Sequence, residues 1–252
     1  MVDSARRLLD EVTSRLDRLT ELAEAGGLDP AIDLITRSLG AGGIVQAFGT
    51  GHSQAFAMEI AGRAGGLIPT NSIALRDVVY FGGRDVSVLA DGATLERDPA
   101  IVGELWDTIE PHAEDVFVIA SNSGVNGSVV GIAQKAKEHG HGVIAVTSLE
   151  HTARVTPKHP SGARLSEVAD IVIDNLAPYG DTTLTLDGDI GVGAVSSLTT
   201  AFVAQLLTVG VSERIAAAGA VPPIYLSANI PAGDDHNHRL EHEYGDRLRR
   251  HA

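Results

Sequence analysis

The segment Asp115–Ser128 decides the fold and reads DVFVIASNSGVNGS. Five apolar residues follow the aspartate, and this pattern is typical of a central strand that is buried on both faces of a parallel sheet. Serines and glycines come next, and a helical pattern runs from about 126 to 138. The sequence therefore predicts a strand, a tight turn and a helix in direct succession, which is the repeating unit of an α/β fold.

The same unit recurs on both sides of this segment. Other short apolar runs predict buried strands, at residues 43–48, 66–73, 142–147 and 170–174. Helical patterns lie between most of these runs. Strands that alternate with helices indicate a parallel sheet with helices on both faces, so we predict an α/β fold.

No linker-like segment divides the chain, and we predict one main domain with two flanking segments. Leucines at helical spacing predict an N-terminal helical extension over residues 1–40. The α/β domain is assigned to residues 41–220. It closes with a long helix at about 193–218, whose composition predicts burial on most faces. Residues 221–252 form a charged, histidine-rich C-terminal tail.

The composition excludes several classes of function. The chain has 252 residues, a formal net charge of −14 and no cysteine. The acidic charge disfavours a nucleic-acid partner, and the lack of cysteine excludes disulfides and thiolate catalysis. The sequence holds no apolar stretch of membrane-spanning length, and residues 1–18 lack the apolar core of a signal peptide. We therefore expect a cytoplasmic protein that binds neither membranes nor nucleic acids.

Two predicted strand-to-helix turns carry the hydroxyl groups and glycines of an anion site. Ligands of open α/β sheets bind at the carboxyl ends of the strands, where helix N-termini present free N–H groups. The residues assigned to a phosphate are Ser121, Ser123, Gly124, Asn126 and Ser128. Those assigned to the rest of the ligand are Gly51, His52, Ser53 and Asn122. For the second turn, at 121–128, the alternative is a helix-capping turn whose serines are incidental.

Both turns also carry a family likeness. SNSGVNGS at 121–128 resembles the serine-rich phosphate loop of the sugar isomerase (SIS) domain family, and GTGHS at 49–53 resembles the turn after that family's first strand. The likeness covers about residues 40–215. It implies a three-layer αβα sandwich with a five-stranded parallel sheet of the flavodoxin-like kind. It also implies a sugar-phosphate ligand and a homodimer or homotetramer with shared active sites. We expect no cofactor and no metal.

Glu59 is the candidate general base. It lies on the helix predicted after GTGHS, seven residues from His52 and so on the same helix face. Apolar neighbours can desolvate its carboxylate, which favours proton abstraction. The stretch Glu59–Arg63 is also similar to the Glu-Leu-x-Gly-Arg stretch that carries a catalytic glutamate in phosphosugar isomerases. The alternative is a surface glutamate paired with Arg63 one turn further along.

His236 and His238 of the tail are candidates for proton transfer, since histidine titrates near neutral pH. The resemblance supports such a role, because SIS enzymes often bring a histidine into the site, sometimes from a neighbouring subunit. A solvated tail is one alternative. A metal site, suggested by the His-x-His spacing, is another.

Two polar segments hold further charged residues. The loop at 76–98 is a candidate lid that can bring Arg84, Glu96 or Arg97 to the ligand. The connection after the strand at 142–147 contains four such residues, His151, Lys158, His159 and Arg164. For all of these side chains we predict a position on the surface, outside the site.

A base beside a phosphosugar points to removal of the proton next to an open-chain aldehyde. We predict a dehydratase or lyase that acts on an N-acetylhexosamine 6-phosphate, such as N-acetylglucosamine 6-phosphate, by abstraction at C2 and elimination at C3. An aldose–ketose isomerase is the first alternative. A non-catalytic phosphosugar sensor is the second, although residues 1–40 contain no basic helix–turn–helix.

Overall fold

A computed structural model describes residues 2–249. Its main sheet has five strands in the order β2-β1-β3-β4-β5, and every neighbouring pair is parallel. The strands are β1 Val45–Gly49, β2 Thr70–Ile73, β3 Val116–Ala120, β4 Gly142–Thr147 and β5 Ile171–Asp174. Helices cover both faces, which confirms the predicted α/β three-layer sandwich with a five-stranded parallel sheet.

The helices follow the strands in the alternation that the sequence predicts. The N-terminal helices are α1 Val2–Glu24 and α2 Asp29–Gly40. Those between the strands are α3 Gln54–Ile60, α4 Asp77–Tyr80, α5 Gly92–Arg97, α6 Ile101–Ile109, α7 Gly127–Glu138, α8 Leu149–Arg154 and α9 Leu165–Val168. The C-terminal helices are α10 Ser196–Ala217 and α11 Gly233–His242. None of the helices within residues 2–249 has the length and apolar character that a membrane crossing requires.

The side chains of β3 build a core on each face of the sheet. Val116 and Val118 point into one cluster, with residues of α2, α3 and α10. Phe117 and Ile119 point into the other, with residues of α6 and α7. This alternation follows from the two-residue repeat of a strand. Each fully buried side chain of this size contributes roughly 1.5–3 kcal/mol, so β3 anchors both layers.

The order in which the strands are added to the sheet reverses at β1, and this reversal positions the site. From β1 the chain goes to β2 on one side and then returns to β3 on the other. Gly49 and Ala120 are register partners at the ends of these strands, so the turns that follow start side by side. Ligands of open α/β folds bind at such a switch point.

Four elements differ from the sequence predictions. Residues 182–194, for which the sequence pattern predicts no strand, form an antiparallel hairpin of β6 Thr182–Leu186 and β7 Ile190–Ala194. The helix after GTGHS, which the sequence pattern predicts to run to about Arg63, ends at Ile60. The late helix begins at Ser196, and its burial on most faces was overestimated, since Leu198 and Val209 are half exposed.

The C-terminal segment folds onto the domain. It contains α11 and a short turn of 3-10 helix at Gly245–Arg247. The Arg247 guanidinium donates to the buried carboxylate of Asp115 at 2.5 Å and to the carbonyl oxygen of Gly42 at 2.7 Å. Asp115 directly precedes β3, so this segment is fixed at the amino ends of the strands. The predicted tail ran to 252, and its residues 250–252 lie outside the described part.

Candidate active site at the carboxyl ends of β1 and β3

A cavity of about 390 Å³ opens where the turns after β1 and β3 diverge. Its walls come from both turns, from α5 and α8, and from the start of α10. The lining residues are Thr50, Gly51, His52, Ser53, Glu96, Ser121, Asn122, Ser123, His151, Asp181, Ala194, Ser196 and Ser197. Six of the predicted site residues therefore meet in one cavity: Gly51, His52, Ser53, Ser121, Asn122 and Ser123.

The turn after β3 is held in one conformation by its own hydrogen bonds. The Ser121 Oγ accepts the Gly124 N–H at 3.1 Å. Gly124 has φ +63°, and a Cβ there would lie 3.0 Å from the Thr147 hydroxyl oxygen, so the position requires glycine. The Asn122 side-chain oxygen accepts from the Asn175 amide at 3.1 Å. The hydroxyls of the turn are therefore preorganised at the cavity wall.

Asn126 and Ser128 occupy a different place from the one predicted. Ser128 is fully buried, and its hydroxyl donates to the carbonyl oxygen of Glu96 at 2.7 Å. The Asn126 amide donates to the carboxylate of Glu96. Neither residue lines the cavity, and neither does Gly124. Within one chain, Asn126 and Ser128 fix the segment that carries Glu96 to the start of α7.

The backbone conformation of the turn after β1 also depends on glycine. A Cβ on Gly49 would lie 2.3 Å from the carbonyl oxygen of Ser53, so the chain can fold back only with glycine there. A short turn of 3-10 helix at Gly51–Ser53 follows, with Gly51 at φ +55°. His52 lies in this turn and not on α3, so the predicted shared helix face of His52 and Glu59 is wrong.

The ionisable side chains of the cavity are two carboxylates and two imidazoles. Lysine and arginine are absent from its described lining. Both oxygens of Asp181 are engaged at the start of α10: Oδ1 accepts the Ser196 N–H at 2.8 Å and Oδ2 accepts the Ser196 hydroxyl at 2.6 Å. Residues 2–249 contain no group of three or more metal-ligating side chains. The cavity can therefore bind an anion through hydroxyl and N–H donors.

Glu96 and His151 enter the cavity, contrary to the surface positions predicted for them. Glu96 lies on α5, and its Oε2 approaches Gly51 on the far turn. His151 lies on α8, and its Nδ1 is 3.1 Å from the Gly180 N–H. The position of His151, just after a strand at 142–147, was the available signal, because strand ends converge at this edge. For Glu96 the sequence offers no comparable signal.

Glu59 lies outside the cavity lining in the single chain. It is the penultimate residue of α3, and its side chain is 23% exposed. Its Oε1 accepts from the Gln205 amide at 2.6 Å and is paired with the Arg63 guanidinium. The pairing with Arg63 was the alternative interpretation of this residue, and it is present.

The tail histidines lie at the opposite end of the sheet from the cavity. His236 is in contact with the carbonyl oxygen of Ile224 through Nε2 at 2.9 Å. It lines a mainly apolar hollow of about 530 Å³ beside the end of α2. His238 is exposed on α11. Within one chain, the structure does not bring His236 or His238 to the two turns.

The site geometry and the fold define a class of protein. A model of the SIS domain family matches residues 7–148, more than half of the chain. The chain therefore belongs to the SIS domain family, as the two turns predicted. The matched range begins within α1, so the family's pattern crosses the boundary predicted at residue 40.

Within the SIS family the chain belongs to the group of UPF0309 proteins. It is 34% identical over 247 residues to UPF0309 protein lmo0025 of Listeria monocytogenes, with 98% of this chain and 96% of that protein covered. It is also 34% identical over 245 residues to UPF0309 protein SCO4393 of Streptomyces coelicolor, with 97% and 96% covered.

Solved structures share the fold. A phosphoheptose isomerase from Francisella tularensis aligns with a TM-score of 0.53 at 16% identity, over 84% of this chain and 98% of that chain. Phosphoheptose isomerase GmhA from Neisseria gonorrhoeae gives a TM-score of 0.52 at 16% identity, over 82% and 98%. At these identities the similarity establishes a common fold.

Proposed function

We propose that the protein is an enzyme that converts a phosphosugar in the cavity between the turns after β1 and β3. The observation that carries this proposal is the convergence of hydroxyls from both turns, from Ser53, Ser121 and Ser123, at a strand switch point. The phosphate dianion accepts hydrogen bonds from these hydroxyls. Gly124 shapes the turn, and Asn126 and Ser128 hold it against α5.

The cavity leaves room for a sugar beside the phosphate. Small-molecule sites typically occupy about 300–1,000 Å³, and this cavity falls in that range at about 390 Å³. His52, Asn122 and Glu96 offer donors and acceptors to sugar hydroxyls. Phosphate binding without cationic side chains also fits a chain with a net charge of −14.

The proposed reaction is dehydration of an N-acetylhexosamine 6-phosphate, such as N-acetylglucosamine 6-phosphate. A carboxylate takes the C2 proton of the open-chain aldehyde, and the electron pair forms a C1–C2 double bond with the charge on O1. As the C1 carbonyl re-forms, the electrons move to C2–C3 and the C3–O bond breaks. The leaving hydroxyl takes a proton from a histidine and departs as water. On a sugar phosphate with a hydroxyl at C2 in place of the acetamido group, delivery of a proton to C1 and loss of the O2 proton would give aldose–ketose isomerisation instead.

Glu59 is the proposed base and His236 or His238 the proposed acid, and both assignments require a second subunit. In one chain these residues lie away from the cavity, whereas α3 and α10 expose Met58, Leu198 and Val209, apolar residues each at least half exposed. Such a surface suits contact with another copy. We therefore propose a homodimer or homotetramer in which neighbouring chains complete each site.

Glu96 is the competing carboxylate, since it already lines the cavity. The experiment that tests the function is incubation of the purified protein with N-acetylglucosamine 6-phosphate in deuterated water, followed by NMR and mass spectrometry. A product lighter by one water supports dehydration. Deuterium at C1 or C2 in a product of unchanged heavy-atom composition supports isomerisation or epimerisation. Binding without turnover would support a sensor and contradict an enzyme.

A further inference from the structure

His151 has a rigid attachment at the cavity edge. It lies in the first turn of α8, directly after β4, and its backbone N–H donates to the Ser148 hydroxyl oxygen at 2.9 Å. That hydroxyl donates in turn to the carbonyl oxygen of Ala177 at 2.6 Å. The imidazole packs against the Tyr179 ring, with centroids 5.3 Å apart. The backbone and the ring of His151 are therefore both fixed.

The hydrogen bond of the ring defines its tautomer. The backbone N–H of Gly180 can only donate, so the His151 Nδ1 at 3.1 Å must accept. In a neutral imidazole the proton then resides on Nε2. Among the described residues, none forms a hydrogen bond with this Nε2. The ring thus borders the cavity with one N–H available to a ligand.

The surroundings favour the neutral form of this imidazole. Burial lowers the pKa of His151 below its ordinary value, and the carboxylates of Asp181 and Glu150 only partly oppose this. Asp181 is itself occupied by the start of α10. A neutral imidazole is a poor general acid, because loss of its proton would give an imidazolate. It is an effective hydrogen-bond donor to a developing oxyanion.

We propose that His151 is a catalytic residue that donates Nε2–H to the carbonyl oxygen of the open-chain sugar phosphate. This inference rests on the proposed function. When the base removes the C2 proton, the C–H electron pair becomes the C1–C2 double bond and negative charge accumulates on O1. The hydrogen bond from Nε2–H to O1 shortens as this negative charge develops, and the imidazole keeps its proton throughout. The same stabilisation serves elimination and isomerisation, because both pass through the enolate.

The test compares two ligands that differ at the reacting end. One is a sugar-acid hydroxamate phosphate, which imitates the enolate, and the other is glucitol 6-phosphate, which has no carbonyl. Affinities are measured by calorimetry for the unaltered protein, His151→Phe, His151→Gln and His159→Gln. Phenylalanine keeps the packing on Tyr179, and glutamine restores an N–H near the Nε2 position. His159 is a matched control from the same connection and lies outside the cavity lining.

We expect His151→Phe to weaken hydroxamate binding by about 100-fold and to leave glucitol 6-phosphate binding unchanged. His151→Gln should recover part of the loss, and His159→Gln should behave as the unaltered protein. In nitrogen-15 histidine spectra, the Nε2–H proton of His151 should move downfield when the hydroxamate binds. Full hydroxamate affinity in His151→Phe would overturn this inference alone. An unaltered protein that does not prefer the hydroxamate would overturn the proposed function and this inference together.

Discussion

The hydroxyl of Ser121 serves the turn and the cavity at once. Its oxygen accepts the Gly124 N–H at 3.1 Å, which leaves its own proton free to be donated. A hydroxyl that already accepts a hydrogen bond is polarised and donates more strongly. Because lysine and arginine are absent from the described cavity lining, such neutral donors are the groups that would bind the proposed anion.

Ser121→Ala is therefore expected to weaken phosphosugar binding. A hydrogen bond to a charged group contributes about 1.5–3 kcal/mol, which corresponds to a loss of roughly 10- to 100-fold in affinity. Calorimetric titration with glucitol 6-phosphate measures this loss. Ser14→Ala, on the exposed side of α1, is the control and should bind normally. Unchanged affinity in Ser121→Ala would show that this hydroxyl does not bind the phosphate.

At the scale of elements, the β6–β7 hairpin is fastened to the start of α10. Asp181 precedes the hairpin, and Val195 and Ser196 follow it. The carboxylate accepts both of their N–H groups, at 3.2 and 2.8 Å, and closes the base of the hairpin beside the cavity. Free N–H groups at a helix start are costly without such a partner.

Asp181→Gly tests this attachment. Glycine suits the positive φ of 60° at this position, so the variant removes the carboxylate without adding strain. Loss of a capping side chain typically costs about 0.5–2 kcal/mol, and we expect a fall of about that size in the free energy of unfolding measured with urea. Asp181→Asn keeps an acceptor and should lose less. Equal stability of all three proteins would contradict the attachment.

The C-terminal segment is fastened through a buried charge. The Asp115 carboxylate is 1% exposed and accepts from Arg247, from the Ile44 N–H at 2.8 Å and from the Gln46 amide at 2.9 Å. These bonds link the tail to the amino ends of β1 and β3. Removal of Arg247 leaves a buried carboxylate with its neutral donors only.

Arg247→Ala should lower the free energy of unfolding by about 1–3 kcal/mol, since a buried group loses a charged partner and the remaining donors compensate in part. Thermal unfolding followed by circular dichroism measures the change. The matched control is Arg84→Ala, which breaks the exposed ion pair with Glu104 and should leave the midpoint unchanged. If the C-terminal segment contributes nothing to stability, Arg247→Ala and Arg84→Ala would give indistinguishable melting curves.

The elements differ in how far the sequence predicts them. β3 and its turn are fixed by local pattern, since five apolar residues and a serine–glycine turn have few other structures. The β6–β7 hairpin was missed, although Thr182–Leu186 alternates and Gly188 supplies a positive φ of 81° for the turn. Its period-2 pattern is short, and its outer residues are exposed, so the hydrophobic signal is weak.

The positions of the charged residues depend on packing that no local pattern encodes. Glu59 accepts a hydrogen bond from Gln205, which is 146 residues away in the chain. Glu96 reaches Asn126 from a different helix. A hydrophobic repeat or a sequence motif predicts which helix or strand a residue belongs to. The direction in which its side chain faces depends on how that helix or strand packs against its neighbours. The sequence therefore predicted the two turns and could not predict which carboxylate enters the cavity.

At the scale of the whole molecule, the proposed catalytic set is divided between two surfaces. The hydroxyls lie at the carboxyl edge of the sheet, whereas Glu59 lies beside the exposed apolar residues of α3 and α10. If a neighbouring chain supplies Glu59, a site damaged in one chain can be restored by another. Closed symmetric assembly would then be a condition of activity.

Subunit mixing tests this division. On N-acetylglucosamine 6-phosphate at a concentration well below saturation, Glu59→Gln alone is expected to be inactive and Ser121→Ala alone to lose most of its activity. After dissociation and joint reassembly in equal amounts, mixed dimers contain one intact site, and about a quarter of the unaltered rate should return. Each variant reassembled with itself is the control. No recovery in the mixture would place Glu59 and Ser121 in the same chain's site or remove Glu59 from the reaction.

The central claim is that hydroxyls of the turns after β1 and β3 hold the phosphate of a sugar phosphate. A crystal structure of the protein with N-acetylglucosamine 6-phosphate tests it most directly. We predict phosphate oxygens within hydrogen-bond distance of the Ser121 and Ser123 hydroxyls, with the sugar extending towards His151. A phosphate bound elsewhere, with these serines facing only solvent, would contradict the claim.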